Sequence, residues 1–271
     1  MPTTPLTLDE IADLARRVLT ANGLDGANTE ALVRTIVAAE RDACLSHGLF
    51  RLPGYVASLR SGKVNPAARP VITHRTPVLL HVHGGNGFAP LTLEYAVTAL
   101  AEAARVYGVA LATITHSHHF AALWPEVEAI AAHNLVGIAS TNYIPVVAPA
   151  GAREPMFGTN PLAISWPRPG STPVVLDMAT SAMARGEITI AAREGHAVPA
   201  GTGLDANGQP TTDPAEILKG VMLPFGGHKG SALSLMVELL TAGMTGEGFS
   251  FETVQRDNGD GGPPQGGQLL I

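Results

Sequence analysis

The chain has 271 residues, 45% of them hydrophobic, with 17 Lys and Arg against 23 Asp and Glu for a net charge of −6. That supplies the core of one large domain or two modest ones, and an acidic balance without a basic run excludes nucleic-acid binding as the main task and points to a small-molecule partner. The single cysteine, Cys44, excludes an internal disulfide framework and fits a cytoplasmic location, while the absence of a signal-peptide plan and of any apolar run near ~18 residues argues against a membrane partner.

Thr7 to Glu10 (TLDE) reads as a capping box opening a first helix with apolar Ile11, Leu14, Val18 and Leu19, closed at Gly23. Asn28 is placed as the cap of a second helix carrying Leu32, Val33, Ile36 and Val37. Pro53 suits the first turn of a short third helix towards Arg60, ended by Gly62. Between the second and third lies RDACLSHGLFRLPGY, Arg41 to Tyr55. Its His47 titrates near neutral pH, stands four residues before the fixed cation of Arg51, and has the Ser46 hydroxyl beside it. Positions i and i+4 of a helical turn face the same way, so this segment offers a proton to one end of a small molecule and a two-toothed grip to its carboxylate. The competing reading makes Ser46 a helix cap, His47 a surface or core histidine and Arg51 a solvated charge. Cys44 adds a further alternative, a histidine-activated nucleophile, against a small buried hydrophobe.

From Val78 the period changes. Val78 to Val82 is a short apolar strand, Leu91 to Val106 an alanine-rich helix, Val109 to Thr115 a buried strand, Ala121 to His133 a helix and Leu135 to Ser140 a strand. This alternation defines an α/β layer with some parallel pairing beneath a helical N-terminal region. Strands follow at Leu162 to Trp166 and Val174 to Leu176; Met183 to Arg193 fits helix or strand, and Gly230 to Ala242 an apolar helix. Asp257 to Gly267 is a loop by composition, and Gln268 to Ile271 reads as the start of a strand. The implied regions are residues 1–75, 76–223 and 224–271.

Three motifs offer ligand chemistry. GTGLDA, Gly201 to Ala206, matches a dinucleotide fingerprint in letters but lacks the following helix, which argues against a Rossmann turn. His116, His118 and His119 follow a strand at its carboxyl end; no cysteine or carboxylate lies in the local run to complete a metal site, so no metal is expected and a cofactor-contacting loop is the better reading. GGHKG, Gly226 to Gly230, joins free amides, a lysine and a helix N-terminus, a setting for phosphate, against a plain loop with a solvated Lys229.

In order, SHGLFRLPGY, THSHHFAALW, FGTNPLAISWP, VLDMATS, GQPTTDP and PFGGHKG resemble the malate/L-lactate dehydrogenase family of NAD(P)-dependent oxidoreductases, over roughly Leu8 to Ile271. HFAALW and ARGE look most like its Δ1-piperideine-2-carboxylate/Δ1-pyrroline-2-carboxylate reductases. The resemblance implies a non-Rossmann dinucleotide-binding mixed sheet, a homodimer, and NADPH as cofactor with NADH as the alternative. It implies His47 as proton donor with Ser46 as its relay partner, and Glu187 where the branch has an aspartate relay. Arg51, Thr159, Arg185 and Gly186 then meet substrate, and His119, Phe120, Ala121, Ala122, Leu123, Asp177, Met178, Ala179, His228 and Lys229 meet cofactor. Family chains continue beyond the position of Ile271, so this chain reads as truncated. The implied reaction is hydride transfer to C2 of a cyclic imino acid, giving L-proline or L-pipecolate. The alternatives are a malate/lactate-type enzyme of 2-hydroxy and 2-oxo acids, and a non-catalytic nucleotide or ketimine binder.

Overall fold

The computed structural model describes residues 5–119 and 121–271. Helix α1 (Leu8–Ala21) starts with the expected capping box: Thr7 Oγ1 accepts from the Glu10 amide at 3.2 Å and Glu10 Oε2 accepts from the Thr7 amide at 2.8 Å. Its stripe Ile11, Ala15, Leu19 packs on Leu32, Val33 and Ile36 of α2 (Gly26–Arg41). The cap of α2 is Asp25, not Asn28: Asp25 Oδ1 accepts the Asn28 amide at 3.0 Å, and the buried Asn28 side chain donates to Ala68 O at 3.1 Å. Either residue type can cap; Asp25 is the one standing before the first helical turn.

Leaving α2, the chain passes Ala43 in the left-handed region (φ 57) and makes two 3-10 turns, Leu45–His47 and Leu49–Arg51, before α3 (Leu52–Ser61), which ends at Gly62 with φ 74. His47 and Arg51 are therefore not neighbours on one α-helical turn. Gly48 separates their turns, and there a Cβ would strike the Glu40 carboxylate, which accepts the Leu49 amide at 2.7 Å.

In chain order there follow β1 (Val71–His74), β2 (Leu79–Phe88), α4 (Ala89–Tyr107), β3 (Leu111–His118), α5 (Trp124–Ala131), β4 (Gly137–Thr141), β5 (Leu162–Arg168), β6 (Ser171–Met178) and α6 (Arg185–Glu194). Then come β7 (Gly203–Leu204), β8 (Pro210–Thr211), α7 (Pro214–Lys219), β9 (Val221–Met222), α8 (His228–Glu238), α9 (Ser250–Thr253) and β10 (Gln265–Leu270). The main sheet has the order β1-β2-β3-β10-β4-β5-β6. Only β2 and β3 run parallel in it; the other neighbours are antiparallel. Helices α4 and α5 cover one face, closing a core around Leu80, Val82, Leu100, Ile114 and Ile130.

Several elements differ from the sequence reading, which ended β2 at Val82 and placed nothing at β7, β8, α7, β9 or α9. β1, a four-residue edge strand, pairs with β2 although its pattern carries no apolar run. The ambiguous segment after Met183 is helix α6. The strand expected from Gln268 starts at Gln265 and lies in the centre of the sheet, between β3 and β4. Its glycines mark contact, not a loop: a Cβ on Gly267 would run into the carbonyl of Thr241, in the π-helical turn Leu239–Gly243 that extends α8.

The glycines of GTGLDA enter β7, the middle strand of a small β8-β7-β9 sheet, and no helix opens after them, as the failed fingerprint test requires. Among the described residues no helix is long and apolar enough to cross a membrane.

Candidate active site

A cleft of about 400 Å³ opens where the two 3-10 turns, the carboxyl end of β6 and the start of α6 converge. Ser46, His47, Arg51, His119, Thr159 and Glu187 all face it.

On His47, Nδ1 lies 2.9 Å from Ser46 Oγ and 3.3 Å from Cys44 Sγ, which leaves Nε2 as the ring nitrogen for the cleft. Burial, then the charges of Arg51 and His119, push its pKa down to about 3, so the imidazole is neutral around pH 7. Arg51 is itself buried, which draws its pKa down from 12.5, but a guanidinium keeps its charge. Burial is also the first reason the Cys44 thiol is raised, which removes the thiolate a nucleophile needs.

Gly186, in the first turn of α6, makes this geometry fit. A Cβ there would stand 2.9 Å from Ser46 Cβ and 3.0 Å from Arg51 Nη2. Arg185 and Glu187 flank it on the cleft wall. Glu187 is exposed, and the groups that meet His47 Nδ1 are Ser46 and Cys44.

The opposite wall is built by α5 and β6. Asp177 Oδ2 accepts the amides of Leu123 at 2.8 Å and Trp124 at 2.9 Å, capping α5. Burial outweighs these bonds and lifts the Asp177 carboxyl to about 6. Ala121, Ala122, Met178 and Ala179 line the cleft beside it, whereas the Leu123 side chain is buried behind. Phe120 lies outside the described residues. Thr159 is anchored through its carbonyl, which accepts from Thr180 N at 2.8 Å and Thr180 Oγ1 at 3.0 Å.

The three histidines of THSHH diverge. His116 stacks on His83 with centroids 4.2 Å apart, His118 is buried with Nδ1 3.2 Å from Pro263 O, and only His119 reaches the cleft. His119 Nε2 stands 3.4 Å from Oε1 of the buried Glu126. Sequence reasoning passed over Glu126, whose only signal was a carboxylate in the first turn of a largely apolar helix that also carries Glu128. It also missed Tyr143, another lining residue, which sits between elements and belongs to no motif.

His228 and Lys229 are exposed in the first turn of α8, outside the cleft lining. They are nevertheless tied to its edge, because Phe225 N donates to Thr180 O at 3.1 Å and Pro224 bridges Ser181.

The mixed sheet thus carries a cleft that brings His47 and Arg51 together between small-residue walls. The chain belongs to the malate/L-lactate dehydrogenase family, whose pattern it matches over residues 6–271. It is an enzyme of nicotinamide-dependent redox chemistry on a small molecule. It is 49% identical to Δ1-pyrroline-2-carboxylate reductase 1 of Burkholderia ambifaria, over 98% of this chain and 78% of that one. It is 48% identical to the Δ1-pyrroline-2-carboxylate/Δ1-piperideine-2-carboxylate reductase of Pseudomonas syringae pv. tomato, over 100% and 79%. The crystal structure of Δ1-piperideine-2-carboxylate reductase from that organism superposes with a TM-score of 0.94 at 47% identity, covering 99% of this chain and 81% of that one. Malate dehydrogenase from Entamoeba histolytica superposes with a TM-score of 0.93 at 28% identity, covering 99% and 78%.

Proposed function

We propose that this enzyme reduces a cyclic imino acid, Δ1-pyrroline-2-carboxylate or Δ1-piperideine-2-carboxylate, to L-proline or L-pipecolate with NADPH. The observation that carries the reading is a buried guanidinium and a neutral imidazole facing one cleft, joined to the likeness to reductases of that name.

The residues present fit a nicotinamide dinucleotide. The alanines 121, 122 and 179 leave space for a flat ring near His47. At the start of α8, the exposed Gly226 (φ 55) and Gly227 (φ 62) stand beside Lys229 at the helix N-terminus, a setting for phosphate. When bound, the cofactor supplies the hydride that adds to C2 of the imine.

Arg51 takes the 2-carboxylate in a two-toothed grip and fixes the ring's orientation, with Thr159 and Arg185 bordering it. Ser46 holds His47 through Nδ1, so Nε2 hands the proton to the ring nitrogen. The substrate carboxylate answers the Arg51 charge, one of the causes of the low His47 pKa, so His47 gains its proton as substrate binds. Glu187 stands exposed at the rim of the cleft, where the branch pattern has its relay carboxylate.

The enzyme works as a homodimer. Trp166, Val174 and Leu176 stand exposed on the face of β5 and β6 opposite α5, and Leu233, Met236 and Leu240 are exposed on α8 and its π-helical extension, apolar area that a second copy would cover. A free thiol at the catalytic histidine supports a cytoplasmic location.

Steady-state NADPH and NADH oxidation with both cyclic imines, oxaloacetate and pyruvate tests the reading. The cyclic imines should give the highest kcat/KM, with NADPH preferred. Faster turnover of a 2-oxo acid would assign the chain to 2-hydroxy acid chemistry instead.

A further inference from the structure

Behind the cleft lies a buried polar knot that the proposed chemistry does not use. Asn160, between the lining residues Thr159 and Pro161, is fully buried and held at φ 41, a conformation that favours glycine. Its amide nitrogen donates to Glu238 Oε1 at 2.7 Å, to Ser234 Oγ at 3.0 Å and to Ser234 O at 3.2 Å. The other carboxylate oxygen of Glu238, 2% exposed, accepts the backbone amide of Ser250 at 2.9 Å. Ser250 Oγ closes the circuit on Asn160 Oδ1 at 3.5 Å.

We infer that Glu238 is a positioning residue: by accepting from both Asn160 and the start of α9, it holds the 158–161 segment and thereby sets Thr159 against the substrate. The inference rests on Thr159 bordering the substrate in the proposed reaction.

The donor and acceptor count demands a carboxylate. Both groups that face Glu238 are donors, so both of its oxygens must accept. A glutamine has the same shape but turns an NH2 towards one of those donors, leaving a buried N–H unpaired. The segment it holds has little slack: a Cβ on Gly158 would stand 2.6 Å from Asn160 Oδ1 and 2.7 Å from Tyr143, and the Thr159 carbonyl is already engaged by Thr180. With Asn160 released, the left-handed turn loses what holds it and Thr159 moves with it. Glu238 also lies on the helix whose first turn presents Lys229, so the knot ties the proposed phosphate turn and the substrate wall to one rigid element.

The test is steady-state kinetics on the full chain, using whichever acid the wild type reduces fastest. Glu238→Gln should raise KM for that acid about tenfold, with kcat within about threefold and KM for NADPH within about twofold. Adding Asn160→Asp reverses the polarity of the pair: the introduced amide donates to the introduced carboxylate, while the amide oxygen still accepts from Ser250. Because an aspartate cannot donate to Ser234 O as Asn160 does, the rescue is partial: the double variant should lower KM about threefold from that of Glu238→Gln. Ser234→Ala removes one acceptor of Asn160 without touching the charge, and should raise KM about threefold; it carries the test if Glu238→Gln does not fold. A folded Glu238→Gln enzyme with wild-type KM overturns the inference, as does a KM increase shared equally by NADPH or unmoved in the double variant. Turnover confined to 2-oxo acids would reject the imine reading and leave this comparison to be made on those acids.

Discussion

Replacing Gly186 by Ala tests the geometry of the cleft without removing any reacting group. The added methyl would lie 2.9 Å from Ser46 Cβ, 3.0 Å from Arg51 Nη2 and 3.3 Å from the Ser46 carbonyl oxygen. Ordinary contacts between carbon atoms are ~3.5–4.0 Å, so roughly 0.6 Å must be absorbed by α6 or by the 3-10 turn that carries Ser46. Ser46 cannot move alone, because its hydroxyl is 2.9 Å from His47 Nδ1. A 1 Å misplacement of catalytic groups costs about 10²-fold, so a shift of about half that predicts a loss of about tenfold in kcat/KM for the cyclic imine. Overpacking costs about 1–3 kcal/mol of stability, offset by about 1 kcal/mol from removing a helical glycine. The expected signature is a damaged enzyme that remains nearly as stable as wild type. Initial rates at low substrate, alongside urea unfolding, measure both quantities. Unchanged kcat/KM, or a loss no larger than the unfolded fraction explains, would refute the claim that this glycine sets the His47–Arg51 geometry.

His47→Ala should lower kcat by about 10²–10⁴ while the fluorescence-measured Kd for NADPH stays near wild type; unchanged turnover would remove His47 from the proton path. Arg51→Lys keeps the charge but loses the two-toothed grip, so KM for the acid should rise at least tenfold, by roughly 1.4 kcal/mol, and an unchanged KM would place the carboxylate elsewhere. Lys63 and Asp260 form an ion pair at 2.5 Å with side chains 9% and 8% exposed; burial pushes the Asp260 carboxyl up, but Lys63, the Gly262 amide and Ser61 hold it at about 2. Lys63→Met should therefore cost about 3 kcal/mol in urea unfolding at pH 7. Burial lowers His118 from 6.5 to about 4, so the unfolded chain binds the extra proton between those values. Stability is full above pH 6.5 and falls by up to about 3 kcal/mol on the way to pH 4, a slope that His118→Gln should flatten in urea titrations at several pH values.

Local chemistry wrote much of the fold legibly. The capping box at Thr7, Pro53 with Gly62, and the apolar runs of β3 and β5 each act within a few residues, and each formed about where expected. Long-range contact was not legible. Gly266 and Gly267 look like loop residues until Thr241 is seen pressing on the strand, and β1 depends on pairing with β2 instead of its own pattern. In the cleft, the residue types at 46, 47 and 51 suggested the chemistry that the proposed function assigns to them. Their arrangement was not legible, because Gly48 breaks the segment into two 3-10 turns and burial, with the charges of Arg51 and His119, sets the charge state of His47. Glu126 and Glu238 escaped notice because a carboxylate reads as surface, and only packing turns it into a buried acceptor.

The central place of β10 has a consequence for synthesis on the ribosome. β3 and β4 do not pair with each other; each pairs with β10, which arrives more than a hundred residues after β4 begins to form. Until then both present bare hydrogen-bonding edges flanking an open slot, the kind of edge that recruits foreign strands. Nascent chains of this enzyme should thus depend on chaperone shielding late in translation, and a pause or truncation upstream of Gln265 would release a species with two sticky halves rather than a smaller working enzyme.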